Sequence, residues 1–314
     1  MFRNISKYLI VIFLTIFLFS FKKVSGQYYS WQMLRYELYG GGGVTNFMGD
    51  VGAPLSNDNF LKSNFWVNKQ SLRWVGQTGL KMALGPHQKI RANLAVGMLY
   101  NDDRYGGHDD RYLNFRSIIV ELSGQYELYF VPDKRISFNK YSQWINTPRK
   151  WRNLWQPMYL FVGVGGIYFN PKGYALGQWH SLQPLHTEGQ ETPYSRISAV
   201  VPAGLGIKIR IARYHSIFVE AGWRLALTDY IDDVSDGKLL STDEMRDKYG
   251  ELAAILFYRR HGEQNHPEEG YTGGEKRGGQ WFDQYQFLTI NYAITLKADW
   301  KNRPTLKMYR PNDE

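Results

Sequence analysis

The chain has 314 residues, no cysteine, 16% aromatic residues and a formal charge of +9. Without cysteine it has no disulfide framework and no thiol through which an N-terminus could be lipidated. Four surplus positives (Arg3, Lys7, Lys22, Lys23) lie in the first 27 residues, and the remaining +5 is too scattered to argue for nucleic acid.

Met1–Gln27 has the layout of a secretory signal: Arg3 and Lys7 in front, an apolar core of 14 residues from Tyr8 to Phe21, and the small residues Val24-Ser25-Gly26. A bilayer-spanning helix needs about 20 residues, so this core is too short to cross comfortably. Lys22 and Lys23 behind it leave a retained anchor as the alternative. No later segment has 18 uninterrupted apolar residues, which excludes a helical membrane protein. The expected division is a signal over 1–26, one large β domain over 27–300 and a C-terminal tail over 301–314.

Eight segments then count in twos, the period of an extended strand. Met33–Thr45 sets Leu34, Tyr36, Leu38 and Val44 against Arg35 and Glu37. Ser71–Leu84 sets Leu72, Trp74, Leu80 and Met82 against Arg73, Gln77 and Lys81. Lys89–Tyr100 sets Ile90, Ala92, Leu94, Val96 and Met98 against Arg91 and Asn93. Ser117–Phe130 is the cleanest: Ile118, Val120, Leu122, Tyr126, Leu128 and Phe130 oppose Ser117, Glu121, Ser123, Gln125 and Glu127. Met158–Phe169 is apolar on both faces, so its facing stays open. Ala199–Ile211 opposes its aliphatics to Lys208 and Arg210, and Ile217–Leu227 opposes Val219, Trp223 and Leu225 to Glu220 and Arg224. Phe287–Trp300 closes the series, with Lys297 on its polar face. Each run is near or above the roughly 9–11 residues that a tilted strand needs to cross a bilayer. The fold expected is all-β, an eight-stranded antiparallel transmembrane barrel.

Short connections at 85–88 and 213–215 alternate with long ones at 46–70, 101–116, 170–198 and 228–286, as in a barrel with one end outside and one in the periplasm. The exception is 131–157, long yet on the short side. It carries Lys134, Arg135, Lys140, Arg149, Lys150 and Arg152 against Asp133 alone, and is a candidate docking surface for a periplasmic partner. A solvated basic loop is the competing reading. The connection 228–286 is acidic, with thirteen acids against seven bases. Within it, Ser241–Arg260 has capping-box spacing (Ser241, Glu244) and a helical apolar period, predicting one helix.

Charge facing lipid near the bilayer centre costs about 2–4 kcal/mol per Arg or Lys, so the strand charges should point inward. They are Arg35, Glu37, Arg73, Lys81, Arg91, Glu121, Glu127, Lys208, Arg210, Glu220, Arg224 and Lys297. Eight strands leave room for side chains alone, which predicts a lumen blocked by structural ion pairs rather than a pore.

Catalytic and metal signatures are weak. No His-Glu-x-x-His, phosphate-binding loop or Gly-x-Ser-x-Gly elbow occurs, so no catalytic or cofactor-binding residue is assigned. Asp229, Asp232, Asp233 and Asp236 lack EF-hand spacing and read as turn formers. Asp102, Asp103, Asp109 and Asp110 around His108 read likewise, and His261 with His266 is a weak metal signal.

Several stretches resemble the PorG-like outer-membrane barrels of the Bacteroidetes type IX secretion system. They are Gly40–Gly52 (GGGGVTNFMGDVG), Pro157–Gly173, Val201–Ile211 and Phe218–Ser235. The most specific pieces are Gly-Asp-Val-Gly at Gly49–Gly52 and the run Thr228–Ser235. The resemblance implies a structural component without catalytic residues. It would contact outer-membrane lipids and tie the periplasmic ring, built from PorK- and PorN-like proteins, to the membrane. A stand-alone OmpA-like barrel that stabilises the envelope or adheres through its loops is the alternative.

Overall fold

The computed structural model describes residues 36–52, 67, 69–85, 87–105, 113–130, 158–212, 214–235, 237, 239–258, 273, 278, 282–298 and 304–305. The expected signal over 1–26 lies outside the described residues, as does most of the tail.

Strand β1 (Tyr36–Met48) pairs antiparallel with β2 (Arg73–Ala83), and the chain continues as a meander through β3 (Gln88–Asp102), β4 (Asn114–Tyr129) and β5 (Met158–Ala175). A four-residue β6 (Gln178–Ser181) folds back on the end of β5. Then β7 (Ile197–Arg210), β8 (His215–Ala226) and β9 (Gln284–Ala298) follow, and β9 returns to β1. The seam runs in continuous antiparallel register from Tyr36↔Leu296 to Met48↔Gln284. Strands β1–β5 and β7–β9 therefore form a closed eight-stranded barrel, and β10 (Pro304–Thr305) adds a stub beside β9.

Two connections at one end are tight. Leu84 and Gly85 both donate to the Gln88 carbonyl, and Ile211 and Ala212 to the His215 carbonyl. The other end carries the long connections. There β5 runs beyond the expected Phe169 into a hairpin with β6, turning at Leu176 (φ 50°) and Gly177 (φ 78°). Positive φ at both central residues is the geometry whose twist matches a two-residue hairpin.

The expected single helix is two. α1 (Thr242–Tyr249) begins with the capping box, Ser241 Oγ accepting from Glu244 N while Glu244 accepts from Ser241 N. Gly250 (φ 90°) interrupts the chain, and α2 (Glu251–Phe257) follows in a new direction. A helix interior has no room for positive φ, so the apolar period continued where the backbone did not. Met245, Ala254 and Phe257 pack with Leu239 into a small core of their own, and Leu256 packs on Ala175 and Leu182 beneath.

The alternating pattern sorts as expected, and every barrel strand exposes large apolar side chains: Leu38, Leu80, Leu94, Leu122, Val164, Leu205, Val219 and Ile290, one from each. Leu122, Val164 and Ile290 are 61–64% exposed, while their strand neighbours Glu121 and Asn291 are at 0–1%. The fifth expected strand, open in the sequence, points Tyr159, Phe161, Ile167 and Phe169 inward and Leu160, Val164 and Tyr168 outward.

Candidate functional site

Inside the barrel, three ionic groups stack from the tight-turn end upward. At the bottom Glu37 on β1 accepts from Lys208 Nζ at 2.6 Å and from Lys89 Nζ at 3.1 Å. In the middle Lys81 and Arg91 share Glu127 and Glu220. Arg91 Nη1 bonds Glu220 and lies 3.3 Å from Glu127, and its Nε donates to Gln125 at 2.8 Å. Lys81 Nζ is 2.8 Å from Glu127 but not aligned for a hydrogen bond, and it sits 3.8 Å over the Phe218 ring instead. The Tyr159 hydroxyl donates to Glu220, and Gln77 reaches Glu220, Thr289 and Asn291. Higher still, Arg224 lies 3.5 Å from Glu121 and 3.9 Å over Phe287, and the Tyr285 hydroxyl donates to Glu121 at 2.8 Å. These carboxylates and cations are at most 8% exposed, so their charges have left water and depend on one another.

Eight of the twelve charges expected inside are thus brought together, Glu37, Lys81, Arg91, Glu121, Glu127, Lys208, Glu220 and Arg224, and Lys89 joins them as an addition outside the twelve. Arg73 is a correction. At the end of its strand its guanidinium leans outward, donating to the Gln70 and Leu72 carbonyls and stacking 4.0 Å from the Tyr100 ring centre. Arg210 is a second correction: it falls on the inward register of β7 but is exposed at the tight-turn mouth, where the wall has ended. Arg35 and the Lys297 side chain lie outside the described residues. So do all six candidate docking cations, Lys134, Arg135, Lys140, Arg149, Lys150 and Arg152.

The loop-side half of the lumen is apolar, which the ionic expectation did not include. Phe47, Leu99, Phe115, Ile119, Ile167 and Phe169 fill it at 0–3% exposure, with Phe47 and Phe115 edge to face at 4.6 Å. Ile119 stands between Ile118 and Val120 in an unbroken apolar run, which hid its inward facing. A filled interior of this kind provides no continuous water path.

Above that plug lies a crown of ordered connections. Its centre joins the two most specific pieces of the sequence resemblance, since Val51 N donates to Asp232 Oδ2 at 2.9 Å. Asp232 Oδ1 accepts from Val234 N, and Asp283 Oδ2 accepts from Ile231 N. Asp233, at φ 68°, accepts from the Thr187 and Tyr194 hydroxyls. Asp103 receives Gly52 N and Leu113 N, and Asp102 pairs with Arg104 at 2.7 Å. Asp103, Asp232 and Asp283 serve the backbone, the turn-forming role expected of the first two, whereas Asp233 takes side-chain hydroxyls. Asp109, Asp110, Asp236, His108, His261 and His266 lie outside the described residues. Burial, then the charges of Asp50, Asp229 and each other, hold the Asp232 and Asp283 carboxyls well above the usual carboxylate range. A cavity of about 20 Å³ between Val51, Leu113 and Asp232 has room for little more than one water.

No family model matches the chain, and no curated protein does. Among solved structures it is similar to Neisserial surface protein A (NspA), at 6% identity and a TM-score of 0.34, over 83% of this chain and 96% of that one. It is likewise similar to Ail, the attachment invasion locus protein of Yersinia pestis, solved with the heparin analogue sucrose octasulfate. That likeness has 6% identity and a TM-score of 0.33, over 83% of this chain and 98% of that one. At these identities and scores neither likeness bears on function.

Proposed function

We propose that the chain is a non-catalytic outer-membrane barrel that serves as a structural anchor. One observation carries this: every wall strand exposes bulky apolar side chains around an interior that is filled and ionic. Soluble monomers rarely expose more than a few hundred Å² of contiguous apolar surface, whereas a lipid-facing barrel requires a complete belt. The tight turns face the periplasm in this reading and the crown faces outward. A folded barrel should migrate differently on a gel before and after boiling, and unchanged mobility counts against the membrane reading.

The partner proposed is the periplasmic ring of the type IX secretion machinery. Support comes from the PorG-like stretches and from the six cations of 131–157, which follow β4 at the tight-turn end. Replacing Lys134, Arg135, Lys140, Arg149, Lys150 and Arg152 with Ser or Gln should release PorK- and PorN-like proteins from detergent-solubilised membranes. Unchanged co-purification rejects this docking surface. The ordered crown favours a second reading, an OmpA-like barrel acting at the cell surface, because α1 and α2 build a core that the wall does not need. Deleting residues 238–280 should then abolish the phenotype while secretion continues.

A further inference from the structure

Outward-facing side chains change character at one level on the loop side. On β4 the outer face runs Leu128, Tyr126, Gly124, Leu122, Val120, Ile118 and then Arg116. On β5 it runs Leu160 to Tyr168 and then, past Asn170, reaches Lys172 and Tyr174. On β3 it ends at Tyr100. The register aligns these ends, with Tyr100 opposite Arg116 and Arg116 opposite Lys172. Trp179 on β6, opposite Tyr174, brings its ring 4.2 Å below the Arg116 guanidinium and 6.4 Å from Tyr100. Arg73 lies 4.0 Å from the centre of the Tyr100 ring. The result is a row of three cations across neighbouring strands, two of which, Arg116 and Arg73, are bedded on aromatic rings.

Two cations directly opposed on adjacent strands repel each other. Arg116 and Lys172 are such a pair, and neither makes an ion pair with a carboxylate among the described residues. The nearby Asp102 is engaged by Arg104. Height identifies what can neutralise them. Leu128 and Ile118 are ten residues apart on one strand, about 34 Å at the usual rise, which a 35–45° tilt reduces to about 24–28 Å. That matches an apolar band about 25 Å tall. Arg116, two residues further, therefore stands about 5 Å beyond the hydrocarbon edge, at headgroup depth.

We propose that Arg116, Lys172 and Arg73 form a binding site for the phosphate of an anionic lipid in the outer leaflet, with Trp179 and Tyr100 as its aromatic floor. Planar guanidinium forks suit phosphate oxygens, and rings at the interface hold Arg116 and Arg73 in place. The inference rests on the membrane reading above. The test reconstitutes wild type, Arg116→Gln/Lys172→Gln and the charge-conserving Arg116→Lys/Lys172→Arg in phosphatidylcholine vesicles with or without bisphosphorylated lipid A. Lipid retained through detergent extraction is then counted by native mass spectrometry. Each basic residue near an anionic surface is worth about fivefold in binding, so neutralising two should reduce lipid A retention about 25-fold in low salt. The charge-conserving variant should keep most of it. Equal retention by wild type and the neutralised variant overturns the proposal. So does saturation of the site by inorganic phosphate with no preference for lipid A vesicles. Failure of the wild type to insert in either vesicle overturns the membrane reading and this inference with it. Normal insertion without lipid A preference overturns this inference alone. Should the double variant not fold, the single Lys172→Gln variant, whose side chain makes no hydrogen bond or ion pair among the described residues, gives the same comparison with a fivefold loss expected.

Discussion

Glu220→Ala tests the central ionic group most directly. Glu220 answers Arg91 by a hydrogen bond, Lys81 at 3.9 Å, the Tyr159 hydroxyl and Gln77. Removing it leaves two buried cations with Glu127 as their one shared carboxylate, in a space closed to water. Breaking a buried pair from one side costs about 3–5 kcal/mol, because the orphaned charge stays behind. Lys81 offers the compensation. Its ammonium already lies against Phe218, Tyr39 and Tyr159 rings, so Lys81→Met suits the surroundings. Combined with Glu220→Ala it leaves Arg91 balanced by Glu127. Urea unfolding in lipid vesicles, followed by gel mobility, should show the single variant about 3–5 kcal/mol less stable. The double variant should recover more than half of that. A single-variant loss below about 1 kcal/mol, or a double variant no better than the single, would refute the idea that charge balance holds the interior together.

The barrel seam should be sensitive at alternate glycines. A Cβ on Gly43 would fall 1.9 Å from the Leu288 carbonyl oxygen, whereas on Gly40 its nearest contact is an ordinary 3.8 Å. Gly43→Ala should therefore cost about 1–3 kcal/mol or prevent closure, and Gly40→Ala should be nearly neutral in the same unfolding assay. In the crown, the raised Asp232 and Asp283 carboxyls mean that the folded state binds more protons than the unfolded one. Crown stability should accordingly be greatest below about pH 3.9 and fall as pH rises from there through the folded-state values. Asp283→Asn keeps the acceptor for Ile231 N and relieves a buried oxygen without a bonding partner, so it should stabilise the crown by about 1–3 kcal/mol and flatten that dependence. Hydrogen exchange of the 228–235 backbone against pH measures it, and looser exchange protection at acid pH would contradict the sign. Ser241→Ala removes one half of the capping box and should cost α1 about 1 kcal/mol, seen as faster proteolysis of 242–249 with the wall unaffected.

The wall was legible because lipid and lumen impose opposite chemistry on alternate residues. Ser117–Phe130 shows both faces in one run, and Glu121 and Glu127 are fully buried as its period requires. Legibility failed where that contrast vanished. On β5 glycines and aromatics occupy both faces, so the period was silent about facing. The apolar plug was hidden for the same reason, since Ile119 and Phe115 differ little from the lipid-facing residues beside them. Strand ends were a third failure: Arg73 and Arg210 obey the inward parity, but parity constrains a side chain only while a neighbouring strand stands on either side of it. Lys89 opens the third expected strand, and its parity with Arg91 is the signal that places it inside. The helical segment was found by its cap, and its break at Gly250 is the ordinary signal of a glycine at positive φ.

The pairing of β1 with β9 has a consequence for how the molecule is made. Until the C-terminal strand emerges, β1 carries an unmatched row of amide and carbonyl groups, the kind of border along which chains aggregate. Joining the two ends also demands the largest loop closure that the sheet contains, a slow event in any chain. The newly made polypeptide is thus a vulnerable open ribbon for most of its assembly, and its last fifteen wall residues convert it into a durable object.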